Sequence, residues 1–243
     1  MADDTTGHEA AGQAASARGT GGESWTGEVT VGGPAAVRDL PGLRVTKVAV
    51  GPMANNAYFL RCTATGDVLL VDAADEAPRL LGFLGGDPLV RIVTTHGHAD
   101  HWQALPAVVE ATGAPVAAHP LDAPGLPVAV LEPVEDGATV EVGRARLTVV
   151  HLSGHTPGSI ALLYDGGGAL REAPHLFTGD SLFPGGPGNT RGDRAAHARL
   201  LDDLESKVFD RLPDATTVYP GHGRDTTLGA ERPFLAEWRA RGW

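Results

Sequence analysis

The sequence predicts an α+β fold, a sandwich of two mixed β-sheets with helices on the outer faces. Three observations carry this expectation. Strand-like segments recur through both halves of the chain and alternate with segments of helical spacing. Val68 to Asp72, in the first half, is a nearly continuous apolar run, as a strand covered on both faces is. Histidines and aspartates gather at the ends of strands, where layered α/β proteins place functional groups on a rigid scaffold.

Taken in order, residues 1–38 are rich in Gly, Ala, Ser and Thr, with almost no branched apolar residue before Val29. Such a stretch buries too little surface to offset its ordering entropy, so a disordered tail is expected, carrying Trp25 as an isolated aromatic. An ordered domain is expected over 39–243. Leu43 to Val50 alternates as a strand, and Asn56 to Leu60 reads as its hairpin partner. Val68 to Asp72 is a third strand. Ala77 to Leu84 suits a short helix before Gly85-Gly86. Leu89 to Thr95 is a β-branched strand running into His96, His101 to Thr112 a helix ended by Gly113, and Pro115 to Ala118 a short strand.

The second half repeats the style without a tandem repeat. Strand alternation runs from Thr139 to Leu152, and Ile160 to Tyr164 and His175 to Thr178 are further strands. Leu200, Leu201, Leu204 and Val208 give helical spacing over Ala195 to Phe209. Thr217 to Tyr219 is a last strand, and Glu231 to Arg239 a closing helix.

Composition bounds the function. Hydrophobic residues are 42% and charged residues 20% of 243, ordinary for a globular protein. The formal charge of −11 argues against a nucleic-acid partner, which requires clustered Lys and Arg. No run approaches the roughly 18 apolar residues of a membrane span. The start of the chain has neither the basic stretch nor the apolar core of an export signal, so a cytoplasmic protein is expected. The lone Cys62 excludes an intrachain disulfide and a thiolate metal cluster, and reads as a small buried hydrophobe.

The chemistry lies in His96-Gly97-His98-Ala99-Asp100-His101. Four potential ligands within six residues, on a strand-to-helix turn, can be aimed at one small volume. Imidazole and carboxylate suit zinc, and also iron or manganese. Gly97 is expected to let the backbone turn sharply enough for His96 and His98 to converge. Three more segments share the design: His155 in Ser153-Gly154-His155-Thr156-Pro157-Gly158, Asp180 in Thr178-Gly179-Asp180-Ser181, and His222 in Pro220-Gly221-His222-Gly223. Each follows a predicted strand and is flanked by glycine. His8, His119, His151, His175 and His197 are read as ordinary structural or surface histidines.

With these segments in view, the chain resembles the metallo-β-lactamase superfamily from about Leu43 onward, and within it the small glyoxalase II-like hydrolases. Asn55-Asn56-Ala57-Tyr58, His155-Thr156-Pro157-Gly158-Ser159, Thr178-Gly179-Asp180-Ser181-Leu182-Phe183 and Pro220-Gly221-His222-Gly223 with Thr226-Thr227 support the likeness. The resemblance implies a four-layer αβ/βα sandwich holding two divalent metal ions. One is expected on His96, His98 and His155, the other on Asp100, His101 and His222, with Asp180 bridging. Asp100 and Asp180 are thereby the catalytic carboxylates, and Asp72 matches an aspartate that supports the site from behind.

The implied activity is hydrolysis of an acyl conjugate of a small thiol, with a small-molecule substrate as the partner of a monomer or homodimer. Full-length glyoxalase II carries much of its glutathione site on a C-terminal helical domain, whereas only residues 223–243 follow His222 here. The expected thiol is therefore not restricted to glutathione. The loop Phe183 to Arg191 is expected to line the substrate pocket, with Asn189 and Arg191 as contacts and Arg191 facing a substrate carboxylate. Alternative activities are an iron-dependent persulfide dioxygenase, which uses a His-His-Asp subset, and a lactonase or phosphodiesterase with the same metal pair.

Overall fold

The structure, a computed structural model, describes residues 27–166 and 173–242. The first sheet contains β1 (Ala36–Leu40), β2 (Leu43–Val50), β3 (Asn55–Cys62), β4 (Val68–Val71), β5 (Leu89–Val93), β6 (Val116–Ala118) and β7 (Glu132–Pro133), in that spatial order. β1 to β4 form an antiparallel meander, and β4 to β7 pair in parallel. Parallel neighbours need a crossover, which α1 (Ala77–Leu84) supplies between β4 and β5, and α2 (Leu105–Thr112) between β5 and β6. Leu80, Leu84, Leu105 and Val108 of these helices cluster with Val48, Val50, Phe59, Leu70 and Ile92 on the outer face of the sheet.

The second sheet contains β8 (Thr139–Val142), β9 (Ala145–His151), β10 (Ile160–Tyr164) and β11 (His175–Gly179). β12 (Leu182–Phe183) and β13 (Gly186–Pro187) pair as a small separate hairpin. Then follow α3 (Arg194–Asp203), β14 (Thr217–Pro220), β15 (Thr226–Thr227), α4 (Leu228–Glu231) and α5 (Leu235–Arg241). The spatial order is β15-β14-β11-β10-β9-β8, antiparallel except for the parallel β11–β14 pair. Leu200, Leu201, Leu204, Val208 and Trp238 pack on its outer face against Val150, Leu152, Leu176 and Val218.

Between the sheets lies a third apolar cluster, in which Leu43, Val45, Leu60, Leu69, Val71 and Val93 meet Val140, Leu147, Val149, Leu162, Phe177 and Tyr219. The layers are therefore helix, sheet, sheet, helix. The period of two explains how one strand serves two clusters: Leu43 and Val45 face the other sheet, while Val48 and Val50 face α1 and α2. Such strands must be apolar on both faces, as the runs in β3 and β4 are.

Four local expectations differ from the structure. The alternation from Thr139 to Leu152 belongs to a hairpin, β8 and β9, reversed at Gly143 (φ 56°). Alternation continues through both arms, so periodicity alone does not reveal the reversal. The helix expected from His101 begins at Leu105, because Ala99–His101 is a 3₁₀ turn that carries the candidate ligands Asp100 and His101. The helix expected over 231–239 is two pieces, with Arg232–Phe234 as a 3₁₀ link that includes Pro233, which lacks an amide hydrogen. Of the expected tail, residues 1–26, with His8 and Trp25, lie outside the described residues. Residues 36–38 are strand, paired from Ala36↔Lys47 to Leu40↔Leu43, so the ordered domain starts before residue 39. Alternate residues of this edge strand are exposed, which is why composition did not mark it. Among the described residues no helix is long and apolar enough to cross a membrane.

Candidate metal centre

All seven residues stand on one rim of the sandwich, contributed by both sheets. His96, His98, Asp100 and His101 lie between β5 and α2, His155 in the β9–β10 turn, Asp180 after β11 and His222 after β14. The fold gathers them into three overlapping groups: His96, His98 and His155; His96, His101 and Asp180; Asp100, His101 and His222. Within each group the candidate ligand atoms lie within 4.8 Å of one another. His98 Nδ1 is 2.9 Å from His155 Nε2, and His101 Nε2 is 3.2 Å from His222 Nε2. Asp180 reaches members of all three groups, 3.3 Å from His101 Nε2 and 3.6 Å from the Nε2 atoms of His155 and His222.

The outward-facing nitrogens decide what the inward ones can do. His101 Nδ1 donates to Asp72 Oδ2 (2.8 Å), His155 Nδ1 to the Asn189 carbonyl (2.9 Å), and His222 Nδ1 to the Met53 carbonyl (3.1 Å). The Thr95 hydroxyl donates to Asp72 (2.8 Å), so it accepts from His96 Nδ1 (3.0 Å). In their neutral form, the one a bound cation requires, these imidazoles would turn an Nε2 lone pair inward. His96 Nε2 is buried without a hydrogen-bond partner. Lone pairs and carboxylate oxygens packed this closely repel one another unless a cation lies among them. The donor set and its orientation fit divalent metal ions.

The titratable groups of the cluster are shifted in both directions. Although burial lowers it, the charges and hydrogen bonds of Asp72 and Asp180 push His101 up to about 10. Burial, with the neighbouring imidazoles, lowers His96. Burial would raise Asp180, but hydrogen bonding and charge from His101, with the other histidines, lower it. The carboxylates favour positive charge on His101, whereas burial and the neighbouring imidazoles disfavour it on His96.

Residues behind the ligands set their positions. Asp72, with φ of 57°, accepts from the Thr95 amide and hydroxyl and from His101, so one carboxylate orients the start of the His96–His101 turn and its end. Asp122 accepts from the amides of Gly97 and Gly158 (both 2.8 Å) and from the Thr156 hydroxyl, tying the His96–His98 turn to the His155 turn. Asn55 donates to Asp100 Oδ2 at 2.9 Å. Sequence reasoning missed Asp122 and this role of Asn55, since their partners are remote in the chain.

The use of glycine differs from expectation at Gly97. Its φ lies outside the left-handed region, and a Cβ there would meet Asp122 at an ordinary 3.4 Å, so its contribution is the amide bonded to Asp122. Close approach is decisive at Gly221, where a Cβ would strike Asp180 Oδ1 and the His101 ring.

In the loop after β13, Arg191 (φ 55°) places Nη2 3.2 Å from His98 Nε2 at the rim. Asn189 is engaged within the protein: its carbonyl holds His155, and its Oδ1 accepts the Arg191 amide at 2.7 Å. It shapes the loop that presents Arg191. The remaining described histidines lie outside the centre: His119 stacks on His151, His175 pairs with the Tyr219 hydroxyl, and His197 with the Trp238 carbonyl. Cys62 is buried.

Comparison with known proteins agrees with this geometry. The sequence model of the metallo-beta-lactamase superfamily matches residues 50–222. A hydroxyacylglutathione hydrolase from Polaromonas sp. (strain JS666 / ATCC BAA-500) is 36% identical over 173 residues, 69% of this chain and 62% of that protein. The chain thus spans 62% of that relative's length. Among solved structures, TTHA1623 in a di-iron-bound form is 34% identical with a TM-score of 0.63, covering 76% of this chain and 96% of that one. ETHE1 from Myxococcus xanthus is 28% identical with a TM-score of 0.69, covering 81% and 84%.

Proposed function

The chain belongs to the metallo-β-lactamase superfamily of metal-dependent hydrolases, and from that premise we propose that it is a thioester hydrolase of the glyoxalase II type, acting on acyl conjugates of a small thiol. The convergence of seven side chains with lone pairs turned inward carries the two-cation part of this reading. The named relative supports the thioester part. His96, His98 and His155 would hold one divalent cation, Asp100, His101 and His222 the other, and Asp180 would face both. When bound, such a pair supplies Lewis acidity that lowers the pKa of water and polarises a carbonyl. Zinc suits the imidazole and carboxylate donors, as iron or manganese also would.

The chain's own residues prepare the reaction. Asp72, Thr95, Asn189 and Met53 hold four imidazoles in the tautomer that faces inward. Asn55 keeps the Asp100 carboxylate turned toward His222. A thiolate leaves at a pKa of about 8.5, so its departure does not demand a strong general acid. Of the serines near these residues, Ser159 is engaged elsewhere: its Oγ bonds the Thr156 amide and hydroxyl. Arg191 supplies a guanidinium at the rim, suited to a substrate carboxylate.

The test is a screen of thioesters, lactones and phosphodiesters on protein of measured metal content, with oxygen uptake followed in parallel on a persulfide. Fastest turnover of thioesters without oxygen consumption is expected. Oxygen uptake by iron-loaded protein with no thioester turnover would replace this reading with the dioxygenase.

A further inference from the structure

Lys47 occupies a position where the strand pattern calls for an apolar side chain. In β2, Leu43 and Val45 point between the sheets, and the period of two puts Lys47 next on that face. Its side chain is 0% exposed and that of its partner Asp225 is 4%. Lys47 Nζ donates to Asp225 Oδ1 at 2.6 Å and to the Gly223 carbonyl at 2.8 Å. Both acceptors lie in the turn that carries His222. Tyr58, opposite Lys47 in the β2–β3 register, donates its hydroxyl to the Pro220 carbonyl at 2.6 Å. Asn56 donates to the carbonyls of Pro220 and Gly223, each at 2.9 Å.

A buried ion pair is a poor device for stability, because apolar residues of similar volume do as well or better once both charges are gone. Its distinctive property is direction: the ammonium must meet its acceptors at fixed distances and angles. Here those acceptors flank His222 on a turn softened by Gly221 and Gly223, the latter at φ of 71°. The imidazole at stake lies 3.2 Å from His101 Nε2 and 3.4 Å from Asp100 Oδ2.

We propose that Lys47, paired with Asp225, is a positioning residue of the second cation site, holding His222 in register with Asp100 and His101. The proposal rests on the two-cation reading above. Both are tested by counting zinc bound per full-length chain by mass spectrometry after dialysis against a zinc buffer, with circular dichroism to follow the fold. Wild-type protein holding fewer than two zinc ions would remove the two-cation reading and this proposal with it.

Given two in the wild type, Lys47→Met is expected to keep its secondary structure and hold one zinc, the second bound about 10- to 100-fold more weakly. Should the single variant unfold because Asp225 is left unpaired, Lys47→Met with Asp225→Leu decides, since no lone charge is then buried. That double variant is expected to fold and hold one zinc. Two zinc ions bound with wild-type affinity in a folded variant would overturn the proposal, as would loss of both, which would place the effect on the whole rim.

Discussion

At the scale of single residues, the centre is built by fixing which nitrogen faces inward on four of its five histidines. Asp72, the Thr95 hydroxyl and two backbone carbonyls fix the imidazoles of His101, His96, His155 and His222 from behind. Replacing a ligand removes a donor outright. His98→Ala and Asp180→Ala should each abolish hydrolysis and reduce bound metal while the fold persists; unchanged turnover in either would remove the proposed mechanism. Replacing a support loosens a ligand without removing it. Asp122→Asn should lower metal affinity or activity about 10- to 100-fold, read by competition with a chelator, because two backbone amides lose a charged acceptor. Arg191 acts on the substrate instead. Arg191→Ala should raise KM about 10- to 100-fold for thioesters bearing a carboxylate, with kcat little changed, since a charge-assisted hydrogen bond contributes roughly 1.5–3 kcal/mol. An equal KM for charged and neutral substrates in the wild type would exclude that role.

At the scale of elements, the strands serve as rods whose ends carry chemistry. β5, β11 and β14 each end in a turn that presents ligands, and the β9–β10 turn adds His155. The turns must come close together, which leaves no room for side chains at certain points. Gly221→Ala would drive a methyl group into Asp180 Oδ1 and the His101 ring. Loss of metal binding with an otherwise native circular dichroism spectrum is expected, and full metal occupancy in that variant would contradict the packing described. Most of the longer strands followed from alternation and apolar runs, and the bounds of β2 and α1 match those read from the sequence. The β8–β9 reversal escaped that reading because both arms alternate and only Gly143 and Arg144 separate them.

At the scale of the molecule, two sheets pack on a common core and bring four separated stretches of chain to one rim. This packing also determines behaviour in acid. His175, at the start of β11, is 1% exposed, and burial together with the nearby Arg38 charge lowers it from 6.5 to about 4. A folded-state value below the unfolded one means the fold holds this imidazole neutral. Its contribution is present above pH 6.5 and is lost as pH falls toward 4, by up to roughly 3 kcal/mol. Urea unfolding of the wild type and His175→Gln should therefore show a steeper loss of stability between pH 6.5 and 4 in the wild type. Parallel acid limbs would exclude His175 as the cause. Chelation should lower Tm, because ions that bind the folded chain alone stabilise it by mass action.

The sequence by itself marked the candidate donors, since His96-Gly97-His98-Ala99-Asp100-His101 places four of them on one turn. It also determined most strands, whose periods report which faces are buried. Only the tertiary structure decided how donors from separate segments group, that Asp122 joins two turns, and that Lys47 of β2 pairs with Asp225 beyond β14. The physical reason is range. Periodicity and turn residues act over a few positions and so can be read locally. The partners of Asp122 and Lys47 are amides, carbonyls and a carboxylate brought near only when one sheet packs on the other.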